Sequence, residues 1–158
     1  MGTILLASPS VRRIKEKYPA AEITLLTLSE NKELCSILHS FDKKLYLDLG
    51  NPIKFITGYL RILCIIRKEH YDTIIDLEFI TNFSALTTLL ITIFSQPKPV
   101  IGFDSPVRWR NAVYSHKVSF DHSRHISKIF AKMFAILRLD SNTISLDKDQ
   151  EELLHAAD

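Results

Sequence analysis

The feature that most narrows the fold is a repeated change of hydrophobic period. Short runs rich in β-branched residues recur along the chain, each separated from the next by a longer run of helical spacing. EITLLTL (22–28), KLYLDL (44–49), DTIIDL (72–77) and VIGF (100–103) have strand length and strand composition. Helices are predicted over 3–18, from a Ser29 N-cap to about 40, over 53–69, over 82–94 and over 123–137. Pro52 suits the first position of the third of these, and Ile53, Ile56, Leu60, Leu63 and Ile66 fall on one stripe of it. Pro97 and Pro99 stop the fourth. The stretch 104–122 reads as one long polar-aromatic connection. Short strands joined by helices imply an α/β fold, a parallel sheet flanked by helices with right-handed crossovers.

The order starts at an unusual point. A parallel α/β domain ordinarily opens on a strand, whereas here Gly2 feeds a helix at once. Either the sheet lacks a leading strand, or the chain is a piece of a longer one; the second is the expectation. One domain is expected over 1–140, with 141–158 a polar tail or the start of an interdomain helix.

Composition excludes several classes. The chain has 158 residues with 46% hydrophobic and 24% charged, enough for a real core. A net charge of +2 does not suggest a nucleic-acid partner. Cys35 and Cys64 form no CxxC pair and are expected to be buried and reduced. Arg12, Arg13, Lys15 and Lys17 follow the first apolar stretch instead of preceding it, unlike a secretory signal. The run 79–94 is interrupted by polar residues and falls short of the roughly 20 apolar residues of a spanning helix. GxGxxG and GxSxG are both absent, so neither dinucleotide binding nor α/β-hydrolase chemistry has support, and no cofactor is expected.

Five segments in order carry a resemblance. GTILLASPSVRRIKEKYPAAEITLL is similar to the glycine–acid–x–x–x–small–x–proline opening of family 9 glycosyltransferases, followed by their basic helix and F/Y-P-x-A-x-I run. YDTIIDLEFITNFSALTTLL resembles their YD-x-x-ID-L and SA-L segment. IGF at 101–103, Tyr114 and RHISKIFAKMFAILRLD resemble later pieces in the right order, so the likeness runs from Gly2 to about Asp140. That family contains the heptosyltransferases of the lipopolysaccharide core.

The resemblance implies the N-terminal half of a GT-B fold, a Rossmann-like acceptor-side domain lacking its first strand. A nucleotide-sugar donor would then bind mainly in a C-terminal domain that this chain does not contain, and the fragment would be inactive alone. The implied reaction moves a heptose or related sugar from the donor to a saccharide or lipid-linked acceptor of lipopolysaccharide type. The implied location is cytoplasmic, with a peripheral contact on the inner face of the inner membrane left open. The basic first helix is the element that would touch anionic headgroups. One departure stands out: the family places an aspartate, the inferred general base, where this chain has Thr3. A threonine hydroxyl cannot take that role unaided. The alternative reading is therefore a non-catalytic Rossmann-like binding or scaffolding module.

Ligands of open parallel sheets collect at the carboxyl ends of strands, so the candidates lie in the turns there. Gly2 and Thr3 would either approach an acceptor or form a turn and helix cap. Asp76 and Glu78 alternate onto one side at the end of DTIIDLE; either they supply the missing base, or they are a capping or solvated pair. Asn82 and Ser84 would cap the next helix or contact sugar. Arg108, Trp109 and Arg110 would hold a phosphorylated acceptor and stack on a sugar face, or form an ordinary surface loop. Arg124 and His125, with His122, open the last helix and would hold an anion; His125 matches the family's histidine there. No third ligand accompanies the two histidines, so no metal is expected.

Overall fold

The computed structural model describes residues 2–78, 82–97, 99–104, 111–120, 123 and 125–140, leaving aside the side chains of 82–86, 95 and 138–140. Its elements run α1 (Gly2–Lys17), β1 (Thr24–Leu28), a 3-10 turn (Ser29–Asn31), α2 (Lys32–Ser36), β2 (Lys43–Leu47) and α3 (Pro52–Glu69). They continue as β3 (Ile74–Ile75), α4 (Asn82–Ser95), β4 (Val100–Phe103), β5 (His116–Val118) and α5 (Ile126–Asp140). All three strand pairings are parallel: β1 with β2, β3 with β4, and β4 with β5.

Side-chain alternation sorts the layers. Leu25, Tyr46, Ile75, Ile101 and Phe103 point to one face, where they meet Ile4, Ala7 and Val11 of α1 and Ile129, Phe130 and Met133 of α5. Leu26, Leu28, Leu45, Leu47 and Ile74 point to the other, beneath Ile62, Leu63 and Ile66 of α3 and Ile91 of α4. This is the three-layer arrangement expected when parallel strands are linked by helices, buried on both faces.

The ladder is divided. β1 and β2 form one sheet and β3, β4 and β5 another. Among the described residues β1 and β3 share no backbone hydrogen bond. Side chains join the two sheets instead. The Tyr71 hydroxyl donates to Thr24 Oγ1 at 3.0 Å. Helix α1 spans both, with Ile4 and Val11 in the cluster around Leu25, and Ala7 in the cluster around Ile101. Burial follows the pairing. β4, paired on both sides, is buried throughout, while every residue of β1 and β3 is only half-buried.

Ion pairs fix the direction of the helices. Lys15, near the end of α1, donates to Asp42 Oδ1 at 2.8 Å and to the Ala21 carbonyl at 2.7 Å. Asp42 Oδ2 accepts the Ile23 amide at 2.7 Å, just before β1. Lys43, the first residue of β2, reaches Glu22 at 2.6 Å and Glu69, the last residue of α3, at 2.7 Å. The C-terminal ends of α1 and α3 therefore lie at the amino edge of the strands. Each helix is about 24–27 Å long at 1.5 Å per residue, so their N-termini reach the carboxyl edge.

Several expectations are corrected. The connection 104–122 contains β5, which pairs with β4 through Ile101–His116, Gly102–Lys117 and Phe103–Val118. On α3 the stripe is rotated: Ile53, Ile56 and Leu60 are 74%, 56% and 55% exposed, while Phe55, Tyr59 and Ile62 turn inward beside Leu63 and Ile66. Cys64 goes out with the exposed stripe, and only Cys35 is buried. Ser29 lies in the 3-10 turn and makes no capping bond to α2. Asn51 is the working cap, its Oδ1 accepting the amides of Ile53 at 2.9 Å and Lys54 at 3.2 Å ahead of Pro52 at the first helical position.

Candidate functional site

The site is built from the carboxyl edge of the strands, where the N-termini of α1 and α3 also lie. Its best-defined part follows β3. Asp76 is 7% exposed, and its amide donates to the Ile101 carbonyl at 2.8 Å, extending the β3–β4 ladder by one rung. Its carboxylate is held by three donors. Oδ2 accepts the Tyr114 hydroxyl at 2.6 Å and the Thr88 hydroxyl of α4 at 2.9 Å, and Oδ1 accepts the Glu78 amide at 3.0 Å. A buried carboxylate is costly unless its oxygens are satisfied, and these donors meet that requirement. The pieces come from positions 38 and 12 residues away along the chain.

Gly102 makes the network possible. It lies on the α4 side of β4, and a methyl group there would overlap the Tyr114 ring. The bare backbone lets the ring lie flat on the strand and point its hydroxyl at Asp76. Val100, Val113 and Tyr114 form a small buried cluster at this place. The segments DTIIDL, SALTTLL, IGF and Tyr114 thus converge on one hydrogen-bonded knot.

Glu78 is half-buried two residues beyond Asp76, and its backbone is fixed by the Oδ1 contact. The two acids have different settings: Asp76 faces inward with its oxygens occupied, and Glu78 sits further out along the same edge. Thr3 is half-buried at the first turn of α1, and Gly2 is exposed, with open space where a side chain would stand. Asn82 and Ser84 fall in the first turn of α4, their side chains outside the described region.

His125 precedes α5 and works as its cap. Its carbonyl accepts the Lys128 amide at 2.9 Å and its Nδ1 accepts the Ser127 amide at 3.3 Å. Because Nδ1 accepts from that amide, the neutral ring carries its proton on Nε2. The Ser127 hydroxyl at 2.7 Å is then the donor to Nδ1. Asn111 donates to Asp104 Oδ1 at 2.8 Å at the end of β4. Arg108, Trp109, Arg110, Arg124 and His122 lie outside the described residues. Among the described residues no cluster of three histidine, cysteine or acidic side chains is placed to hold a metal.

Sequence reasoning named Asp76 and Glu78 as candidates but did not foresee Thr88 and Tyr114 as the partners of Asp76. The signal for Tyr114 was its place in the resemblance. For Thr88 there was only a hydroxyl on an apolar helix, two turns from its start.

No protein-family model matches the sequence, and no curated protein does. Two solved structures share the fold. The E. coli heptosyltransferase WaaC with ADP superposes with a TM-score of 0.67 at 15% identity, over 86% of this chain and 44% of that one. The E. coli ADP-heptose lps heptosyltransferase II superposes with a TM-score of 0.57 at 16% identity, over 82% of this chain and 36% of that one. The chain therefore spans less than half the length of either. At such identities the likeness is one of fold.

Proposed function

We propose that this chain is the acceptor-side, N-terminal domain of a glycosyltransferase that moves a heptose or related sugar from a nucleotide-sugar donor to a lipopolysaccharide-type acceptor. The observation that carries the reading is the superposition over 86% of this chain on less than half of a heptosyltransferase. Three of the matching sequence segments and the matching Tyr114 position support it, since DTIIDL, SALTTLL, IGF and Tyr114 meet in the Asp76 knot. A GT-B partner domain would bring the nucleotide sugar to that edge.

Within this reading the two acids divide the work. Asp76 is the positioning residue: its donors lock β3, α4 and the turn before β5 together and orient the Glu78 backbone. Glu78 is the candidate general base for the acceptor hydroxyl, replacing the acid whose place Thr3 holds. Deprotonating the hydroxyl as it attacks the anomeric carbon is worth about 100- to 10,000-fold in rate. Gly2, Thr3, Asn82, Ser84, Arg108, Trp109, Arg110, Arg124 and His125 are the proposed acceptor-binding set.

Calorimetric titration of the 158-residue chain tests the assignment. Binding of a phosphorylated core saccharide acceptor, without tight binding of ADP-heptose, is the expected result. Tight nucleotide-sugar binding with no acceptor binding overturns it. The second reading, a non-catalytic binding module, is favoured by Thr3 at the position of the inferred base. It predicts that Glu78→Gln in the longest natural form of the protein leaves acceptor binding and every other property unchanged.

A further inference from the structure

The basic first helix was the expected membrane-facing element, but its charges are largely engaged. Arg12 pairs with Glu16 at 3.2 Å, Lys15 with Asp42 at 2.8 Å, and Lys17 lies 5.3 Å from the Tyr18 ring centroid. Helix α3 has the opposite character. It carries Lys54, Arg61, Arg67 and Lys68, all exposed, against a single acid, Glu69, which is taken by Lys43. Among the described residues none of these four cations lies within ion-pair distance of an acid, and only Lys68 feels a carboxylate, that of Glu69.

The same outward face carries apolar side chains that the core does not use. Ile53, Ile56 and Leu60 are each more than half exposed and fall within about a third of the helix circumference. Leu49, 48% exposed, stands just ahead of the helix cap. These four cluster at the N-terminal end of α3, and three of the cations, Arg61, Arg67 and Lys68, lie toward the other end. Beyond Arg67 the surface continues to Ile93 and Phe94 of α4, 58% and 40% exposed, which border the same hollow as Arg67 and His70. An apolar strip flanked by uncompensated cations is complementary to a surface with acyl chains below and negative headgroups above. Among the described residues no helix is long and apolar enough to cross a membrane, and a helix with one apolar face and a cationic flank lies in the plane of the bilayer.

We propose that the outward face of α3 is a docking surface for an anionic lipid bilayer, with Leu49, Ile53, Ile56 and Leu60 entering the interface and Lys54, Arg61, Arg67 and Lys68 on the headgroups. The N-terminus of α3 is at the carboxyl edge of the strands, so with α3 lying flat the candidate acceptor edge opens sideways, alongside the bilayer surface. The proposal deepens the acceptor-side reading given above, but its test uses no sugar and so fails or succeeds separately from it.

The test is flotation of the purified chain with vesicles of phosphatidylglycerol and phosphatidylethanolamine, and with phosphatidylcholine vesicles for comparison. Binding to the anionic vesicles only, weakened by salt, is expected. Each of Arg61→Gln, Arg67→Gln and Lys68→Gln should lower the partition coefficient by about fivefold. The triple variant Ile53→Ser, Ile56→Ser, Leu60→Ser should abolish flotation while leaving the circular dichroism unchanged and the melting curve cooperative, because more than half of each side chain is exposed. Arg12→Gln with Arg13→Gln should float as the parent does. Absence of flotation, equal flotation of all variants, or loss confined to the α1 variant overturns the proposal. A parent that is dimeric and does not float, with a monomeric serine variant, also overturns it and assigns the face to self-association.

Discussion

A methyl group at position 102 would strike the Tyr114 ring, and the consequences of that contact can be measured. Gly102→Ala should destabilise the fold by about 1–3 kcal/mol, the usual cost of overpacking, in denaturant unfolding. Tyr114→Phe keeps the ring and removes one donor to Asp76, so about 1 kcal/mol is expected. Asp76→Ala leaves the hydroxyls of Thr88 and Tyr114 and the Glu78 amide without their acceptor, and should cost more than either. If the three variants were equally stable to the parent, the knot would not be structural. A second acid sets a pH response. The Ile23 amide, then Lys15, hold the Asp42 carboxyl below the ordinary carboxylate range. Its folded-state pKa is depressed, so its contribution is full above the unfolded value, near 4, and is lost as pH falls through the lower folded value. Asp42→Asn should flatten the acid limb of a stability–pH curve and leave the neutral region lower. The Asp42 side chain is 35% exposed, so solvent screens the pair in part, and salt should reduce the effect.

At the scale of elements, α3 shows where the sequence could be read and where it could not. Its start was visible, because Pro52 marks the first helical position. Its orientation was not. Ile53, Ile56 and Leu60 have the same helical spacing as Phe55, Tyr59, Ile62 and Ile66, so periodicity offers two apolar faces and only the sheet beneath decides between them. Cys64 was assigned to the core for the same reason. β5 was hidden because HKV has neither strand composition nor alternation; it is a strand only because β4 offers it a ladder. The knot at Asp76 was half legible: an acid at a strand end is a local signal, but its partners sit 12 and 38 residues away. Asn51→Ala should cost about 1 kcal/mol by removing the acceptor for the Ile53 and Lys54 amides. The loss should appear as faster amide exchange in the first turn of α3, and an unchanged exchange rate there would count against the cap.

At the scale of the molecule, the division of the sheet matters most. β4 has partners on both sides, whereas β1 and β3 each have one among the described residues. Amides of β1 and β3 that point away from their partners should exchange with solvent much faster than those of β4. A short apolar segment placed ahead of Gly2 should slow that exchange and raise Tm, since it could add rungs to both strands. No change in either measurement would show that β1 and β3 do not share an opening that a strand can enter. Because β1 and β3 each keep one edge unpaired among the described residues, a strand that paired with both would be clasped from left and right together. Its capture would knit two half-domains into one continuous slab, an all-or-none gain that no addition at the outer rim can match.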